Sequence, residues 1–169
     1  KSSLKINKIY ISHRNNILSK KLKKKSRKIV IHKDNQSIID SSNWVFLAIT
    51  PQVGKKILSK LSFRQNQKIV SFISTITLTQ LKKYIGKNNK IVRAIPMPPI
   101  SNKLGPIPIC PSDKKVKSFF SKLGTVIEIN NEKLSKNFWV TSSMMAPFYE
   151  LLKVLSDWLV KRGVKRNEA

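Results

Sequence analysis

The residues that could do chemistry are few, and their spacing excludes more than it offers. Eight acidic residues are scattered along 169 positions with no close carboxylate pair, which argues against glycosidase-type or aspartic-type hydrolysis. The only histidines, His13 and His32, follow short apolar runs and have no cysteine or carboxylate partner at metal-ligand spacing, so no metal site is expected. Cys110 lies between prolines with no histidine near it in sequence, and reads as a buried structural thiol rather than a nucleophile. What remains is a turn. Six apolar residues, 44–49, end in Thr50-Pro51 and give way to a segment with apolar residues at Val53, Ile57, Leu58 and Leu61. A continuous apolar run reads as a strand buried on both faces, and the spacing after it as an amphipathic helix. Ligands of open parallel sheets bind beyond the carboxyl ends of the strands, so Ala48, Ile49, Thr50, Pro51 and Gln52 lie where chemistry is expected.

The elements that position this turn follow the same alternation. Residues 8–12 (KIYIS) and 28–31 (KIVI) read as strands. Between them 17–26 reads as a helix with Ile17 and Leu22 toward a core, and 35–42 as a short helix capped at Asp34-Asn35. Residues 67–73 form a further strand, and 77–86 a helix capped by Thr77 and closed by Gly86. A strand over 90–95 ends at Pro96. The stretch 96–111 holds six prolines and reads as a loop with at most an edge strand at 107–110. A helix capped at Ser112-Asp113 and closed by Gly124 precedes a last strand, 125–129. Strands and helices recurring about every 20 to 25 residues imply a doubly wound, mostly parallel α/β sheet. From Asn131 the pattern is purely helical, with Phe148, Leu151, Leu152, Leu155, Trp158 and Leu159 at helical spacing, which places a domain boundary near Asn131.

Composition sets outer limits. With 40% hydrophobic residues the chain builds an ordinary core, and a single cysteine suits a reducing cytoplasm. No run approaches the roughly 20 apolar residues of a membrane helix, and the start lacks a signal-peptide core. The net charge of +26 comes from 34 basic residues, of which only six are arginine. The densest run, 20–28 (KKLKKKSRK), contains no aromatic. Nucleic-acid binders concentrate Arg, Lys and aromatics on one face, so these lysines read as a solvated surface, and no specific nucleic acid or membrane partner is expected.

Several of these stretches, in their order and spacing, resemble pyrroline-5-carboxylate reductase, the NAD(P)H-dependent enzyme of proline synthesis. SSNWVFLAITPQ is similar to that family's strand and turn ending in Ala-Val-Lys-Pro-Gln. SFISTITLTQL is similar to its Ser-x-Ala-Ala-Gly-Ile-Thr-x-x-x-Leu, and IVRAIPMPP to its Val-Val-Arg-Ala-Met-Pro-Asn-Thr-Pro. FFSKLGTVIEINNEKL resembles the segment before the helical domain. The resemblance implies a Rossmann-like NAD(P)-binding domain over 1–130 and, over 131–169, a long linker helix and the beginning of an all-α dimerisation domain. It also implies that an opening central strand and a Gly-x-Gly-x-Met-Gly turn precede Lys1. The chain is therefore expected to be a fragment cut at both ends, poorly stable and weak in cofactor binding by itself.

The resemblance further implies hydride transfer from reduced nicotinamide to the C=N carbon of a cyclic imine, with no side chain assigned as acid or base. Ala48, Thr50, Pro51 and Gln52 would line the nicotinamide ribose, Ser71, Ser74 and their neighbours to Thr75 the opposite wall, and Asn35 the adenosine side. Ser12, His13 and Arg14 follow the strand where a carboxylate would accept the ribose hydroxyls of NAD; a hydroxyl and a guanidinium there accommodate a 2′-phosphate, favouring NADP. Ser143 and Pro147 fall on the substrate side. The family's lysine before Pro-Gln is Thr50 here, its glycine before Ile-Thr is Thr75, and its Asn-Thr-Pro is Met97-Pro98-Pro99. Its Ser-Gly-Ser-Gly-Pro-Ala-Tyr stretch appears as 143–149, SMMAPFY. These departures leave open a small-molecule imine or carbonyl substrate other than pyrroline-5-carboxylate, or a catalytically diverged Rossmann protein that binds nucleotide or polyanion. The C-terminal helices imply a homodimer or higher oligomer.

Overall fold

In the computed structural model, which describes residues 6–169, strands and helices alternate as β1 (Ile9–Ser12), α1 (Asn16–Lys25), β2 (Ile29–His32), α2 (Asn35–Ser41), β3 (Trp44–Leu47), α3 (Pro51–Ile57), β4 (Lys68–Ser71), α4 (Leu78–Ile85) and β5 (Lys90–Ala94). They continue with β6 (Pro106–Cys110), α5 (Lys114–Phe120) and β7 (Thr125–Glu128), after which only helices follow, α6 (Glu132–Ser143) and α7 (Met145–Lys161). The chain divides into two compact units, one ending at Glu132 and one running Lys133–Ala169.

In the first unit the strands form two sheets, β1-β2 and β3-β4-β5-β6-β7, parallel throughout except at β5-β6. β1 and β3 are both edge strands. Helix α2 relates the two sheets, since it packs on β1 and β2 while its Ile39 joins a core with Val45 and Leu47 of β3.

The larger sheet is covered on both faces, as a doubly wound fold requires. Side chains alternate across a strand. Ile69 and Ile91 point into the core formed with Ile73 and Ile76 of the turn after β4 and with Leu81 and Ile85 of α4, whereas Val70 and Val92 point into the core formed with Val116 and Phe120 of α5. Buried polar groups tie these layers together. The Gln67 amide donates to the carbonyls of Ile39 (2.6 Å) and Ser42 (2.7 Å) and accepts from Arg64 N–H (2.8 Å), joining the end of α2 to the start of β4. Thr77 and Gln80 close a capping box at the start of α4, and Gly86, at φ 121°, ends it.

Three expectations are corrected. The segment 107–110 is not at an edge: β6 lies between β5 and β7 with Ile107 and Ile109 fully buried. Pro108 is tolerated because it serves the ladder as an acceptor, taking the N–H of Ile95, while Gly105 and Ile109 beside it take those of Thr125 and Ile129. Strand β3 is buried on one face only. Val45 and Leu47 are in the core, but Phe46 is 39% exposed, because β3 is the edge strand and its second face is a half-open aromatic row with Trp44, Phe72 and Phe119. Ile17 is 85% exposed, and Ser19 is the buried residue of α1.

The second unit is helical. Pro147 has no N–H to give the carbonyl four residues back, and the helical run expected as one long element breaks at Met144. Pro147 falls in the first turn of α7, where N–H groups lack helical partners in any case. Phe148, Leu151, Leu152, Leu155 and Trp158 of α7 are each about half exposed. Among the described residues no helix is long and apolar enough to cross a membrane.

Asp113 ties α5 to the start of β4. It caps α5 by accepting from Lys115 and Val116 N–H (both 3.0 Å) and pairs with the Lys68 ammonium at the start of β4. Partial burial raises its pKa, but the Lys68 contact and the Val116 and Lys115 N–H bonds outweigh this and hold it below the ordinary value of 3.8. A depressed carboxylate contributes stability above its unfolded pKa and loses it as pH falls through the folded one. Asp113→Asn is expected to lower the urea midpoint at pH 6, with the difference from wild type shrinking as pH falls below the carboxyl's ordinary value of 3.8. A pH-independent difference would contradict this account.

Candidate functional site

Three parallel strands of the larger sheet end in one row. Leu47 of β3 is in register with Ser71 of β4, and Ser71 with Arg93 of β5. The chain leaves this row through two turns, residues 48–50 into α3 and residues 72–77 into α4. Ile49 packs inward against the core, leaving Ala48, Thr50 and Gln52 exposed around it. Thr50 is the N-cap of α3, but its hydroxyl makes no capping bond, and Pro51 opens the helix. The turn thus leaves small groups exposed. It contains no ionisable side chain.

The second turn is fixed from beneath. Ser71 is fully buried and its hydroxyl accepts the N–H of Ile73 (3.2 Å), so it shapes the turn rather than facing outward. Ile73 and Ile76 are buried, whereas Ser74 and Thr75 are exposed. Gly54 of α3 brings the two turns together. A β-carbon built there would stand 3.2 Å from the terminal methyls of both Ile73 and Ile76, tighter than ordinary van der Waals contact. Under the turn lies Arg93, 2% exposed. Its guanidinium donates to the Ser74 carbonyl and, at 2.6 Å, to the carboxylate of Glu132, which also accepts the N–H of Leu78 at 2.7 Å.

The other expected positions lie on the smaller sheet and in the second unit. At the carboxyl end of β1, the Ser12 hydroxyl accepts Arg14 N–H (3.2 Å) and the Arg14 side chain is exposed. Ser12 also lines, with Ile11, Asn15, Leu18, Ser19 and Leu22, a shallow hollow of about 90 Å³. Asn35 is exposed at the start of α2, whose cap is Asp34. Bonds from the Ser37 N–H (2.8 Å) and hydroxyl (2.7 Å) hold the Asp34 carboxyl below its ordinary pKa. Ser143 ends α6, donating its hydroxyl to the Val140 carbonyl (2.6 Å), and Pro147 is exposed in α7. A larger hollow, about 260 Å³, lies along Leu78, Lys82, Lys90 and Asp113 and includes no residue of the two turns 48–52 and 71–75. Among the described residues no group of three His, Cys, Asp or Glu is placed to hold a metal.

Arg93, Glu132 and Gly54 are absent from the sequence-based site. The signal for Arg93 was present, because one charge inside the apolar strand IVRAI requires a buried partner. Glu132 and Gly54 gave no such sign.

A family described as NADP oxidoreductase, coenzyme F420-dependent, matches residues 2–77. The pyrroline-5-carboxylate reductase of Synechocystis sp. is 26% identical over 150 residues, 84% of this chain and 56% of that protein. The solved pyrroline-5-carboxylate reductase of Streptococcus pyogenes superposes with a TM-score of 0.77 at 21% identity, covering 95% of this chain and 63% of that one. The Plasmodium falciparum pyrroline carboxylate reductase with NADP bound gives 0.77 at 19% identity, covering 96% of this chain and 62% of that one. The chain is thus similar, in sequence and in its Rossmann-like fold, to pyrroline-5-carboxylate reductases over most of its own length, and spans 56% of the Synechocystis protein.

The packing of α3 on the second turn is testable. Gly54→Ala is expected to be close to neutral, since the gain in helix propensity, about 1 kcal/mol, offsets a small squeeze on two flexible isoleucine ends. Gly54→Val adds a branched group in the same space and is expected to destabilise by about 2 kcal/mol in chemical denaturation. A Val variant as stable as wild type would show that α3 and the turn do not meet at Gly54.

Proposed function

We propose that the chain is part of an NAD(P)H-dependent reductase of a cyclic imine, pyrroline-5-carboxylate reductase-like, acting in proline biosynthesis in the cytoplasm. The observation that carries this reading is the common strand end at Leu47, Ser71 and Arg93, with two turns that leave Ala48, Thr50, Ser74 and Thr75 exposed where an open parallel sheet binds its ligand. These residues suit a dinucleotide: small groups permit close approach, and no carboxylate in either turn repels phosphate. When bound, the nicotinamide supplies the hydride. The protein's part is to orient and to exclude water, with 48–52 on one side and 72–75 on the other. Ser71 acts from within, through the turn. Asn35 is assigned to the adenosine side, Ser143 and Pro147 to the substrate.

The same reading assigns NADP over NAD, because Ser12 and Arg14 offer a hydroxyl and a guanidinium at the end of β1. It makes 131–169 the opening of a helical domain through which the protein dimerises, the half-exposed residues of α7 facing a second copy. A second reading, a diverged Rossmann protein that binds nucleotide or polyanion, is supported by the net charge of +26 and the exposed lysines of α1.

Calorimetry on the full-length protein separates the two readings. The reductase reading expects saturable NADPH binding, competed by adenosine 2′-phosphates, and NADPH oxidation dependent on pyrroline-5-carboxylate. Arg14→Glu should weaken NADPH about tenfold or more while leaving NADH within about twofold, as loss of a charge-assisted bond to a 2′-phosphate requires. Absence of saturable NADPH binding, with heparin affinity falling steeply in salt, would support the polyanion reading instead.

A further inference from the structure

A fully buried cation is costly, and a turn of six residues does not need one to close. The fold nevertheless carries Arg93, 2% exposed, to the end of β5 and spends its donors on two segments far apart in sequence. One is the Ser74 carbonyl, at the crest of the 72–77 turn; the other is Glu132, the first residue of α6, which in turn receives the N–H of Leu78 at the start of α4 (2.7 Å). Other restraints converge on the same turn: the Ser71 hydroxyl on Ile73 N–H, Gly54 against Ile73 and Ile76, and the Thr77–Gln80 capping box. The first two act from the interior side, and the capping box holds the end of the turn at the surface. The outward side chains, Ser74 and Thr75, are left exposed.

We propose that Arg93 is a positioning residue for the cofactor: clamped between the Ser74 carbonyl and the Glu132 carboxylate that caps Leu78, it fixes the backbone of the 72–77 turn as a rigid wall for the dinucleotide. The inference rests on the reductase reading for the identity of the ligand and on the geometry for the clamp. Arginine is required because a planar fork reaches two acceptors in different directions at once, whereas a lysine ammonium is a single point on a flexible stem. Glu132 is the second half of the device. Its carboxylate neutralises the guanidinium and takes up a helix N–H without an intrahelical partner.

The test compares Arg93→Lys, Glu132→Gln and a control, Val116→Ala, which removes volume from the opposite core, in the full-length protein. Hydrogen exchange of 72–78 and NADPH affinity by calorimetry are read well below each variant's melting point. Arg93→Lys is expected to speed exchange across 72–78 about tenfold, with β4 and β5 unchanged, and to raise the NADPH Kd about tenfold, the scale of one lost bond to a charged group. Glu132→Gln keeps an acceptor for Leu78 but loses the charge, and should fall between. Val116→Ala should lower the melting point without moving the Kd. The proposal is overturned if Arg93→Lys leaves 72–78 protected, or if its Kd shifts only as far as that of Val116→Ala. A wild-type protein that binds no NADPH overturns the functional reading and the cofactor part of the inference, and the exchange data then decide the clamp alone.

Discussion

A guanidinium taken out of water must find its acceptors where it comes to rest, and the place where Arg93 comes to rest is the carboxyl end of the sheet. The pair with Glu132 spans 39 residues of sequence, so it forms only when β5, the turn after β4 and the start of α6 have all reached their places. Breaking such a pair by removing one partner leaves an uncompensated charge, a loss of about 3–5 kcal/mol in buried pairs. The turns that make up the candidate site are therefore coupled to the fold itself.

The two-sided sheet supplies the rest of the support. Strands of four or five residues suffice at the centre because β4 and β5 each carry one set of aliphatic side chains to the α4 face and the other to the α5 face. Where chain segments must cross polar ground, single side chains bridge: Gln67 binds the end of α2 to the start of β4, and Asp113 binds Lys68 while capping α5. The result is a sheet whose lower end is pinned by these two contacts and whose upper end is pinned by Arg93. Between the pinned strands the turn 48–50 needs no side-chain bond of its own; Ile49 and Gly54 seat it by packing.

Much of this was legible in the sequence, for physical reasons. The short apolar runs around Ile29, Ile69 and Ile91, and the caps at Asp34, Thr77 and Asp113, announce themselves locally, because capping and side-chain alternation depend on near neighbours. Non-local features did not. The prolines of β6 suggest an edge, yet Pro108 fits an interior strand as an acceptor, a matter of which carbonyls face which neighbours. Trp44 to Leu47 looks equally apolar on both faces, and only the strand order shows that Phe46 lies on an open side. The turn 48–52 stands out as a candidate because an apolar strand ending in Thr-Pro points to the carboxyl end of a sheet by topology alone. Motif likeness assigns Ser71 to the wall, and its hydroxyl accepts the N–H of Ile73, a bond the motif does not announce. The partnership of Arg93 with Glu132 depends on the path of the chain between them and could not be read from either position.

The central claim is that the turns after β3 and β4 and the end of β1 hold a reduced nicotinamide dinucleotide. A nitrogen–proton correlation spectrum of the labelled full-length protein, titrated with NADPH, tests it directly. The account predicts saturable shifts at residues 12–14, 35, 48–52 and 72–75, with those of α5 and β7 unmoved. Shifts confined to the lysines of α1, and abolished by salt, would contradict it.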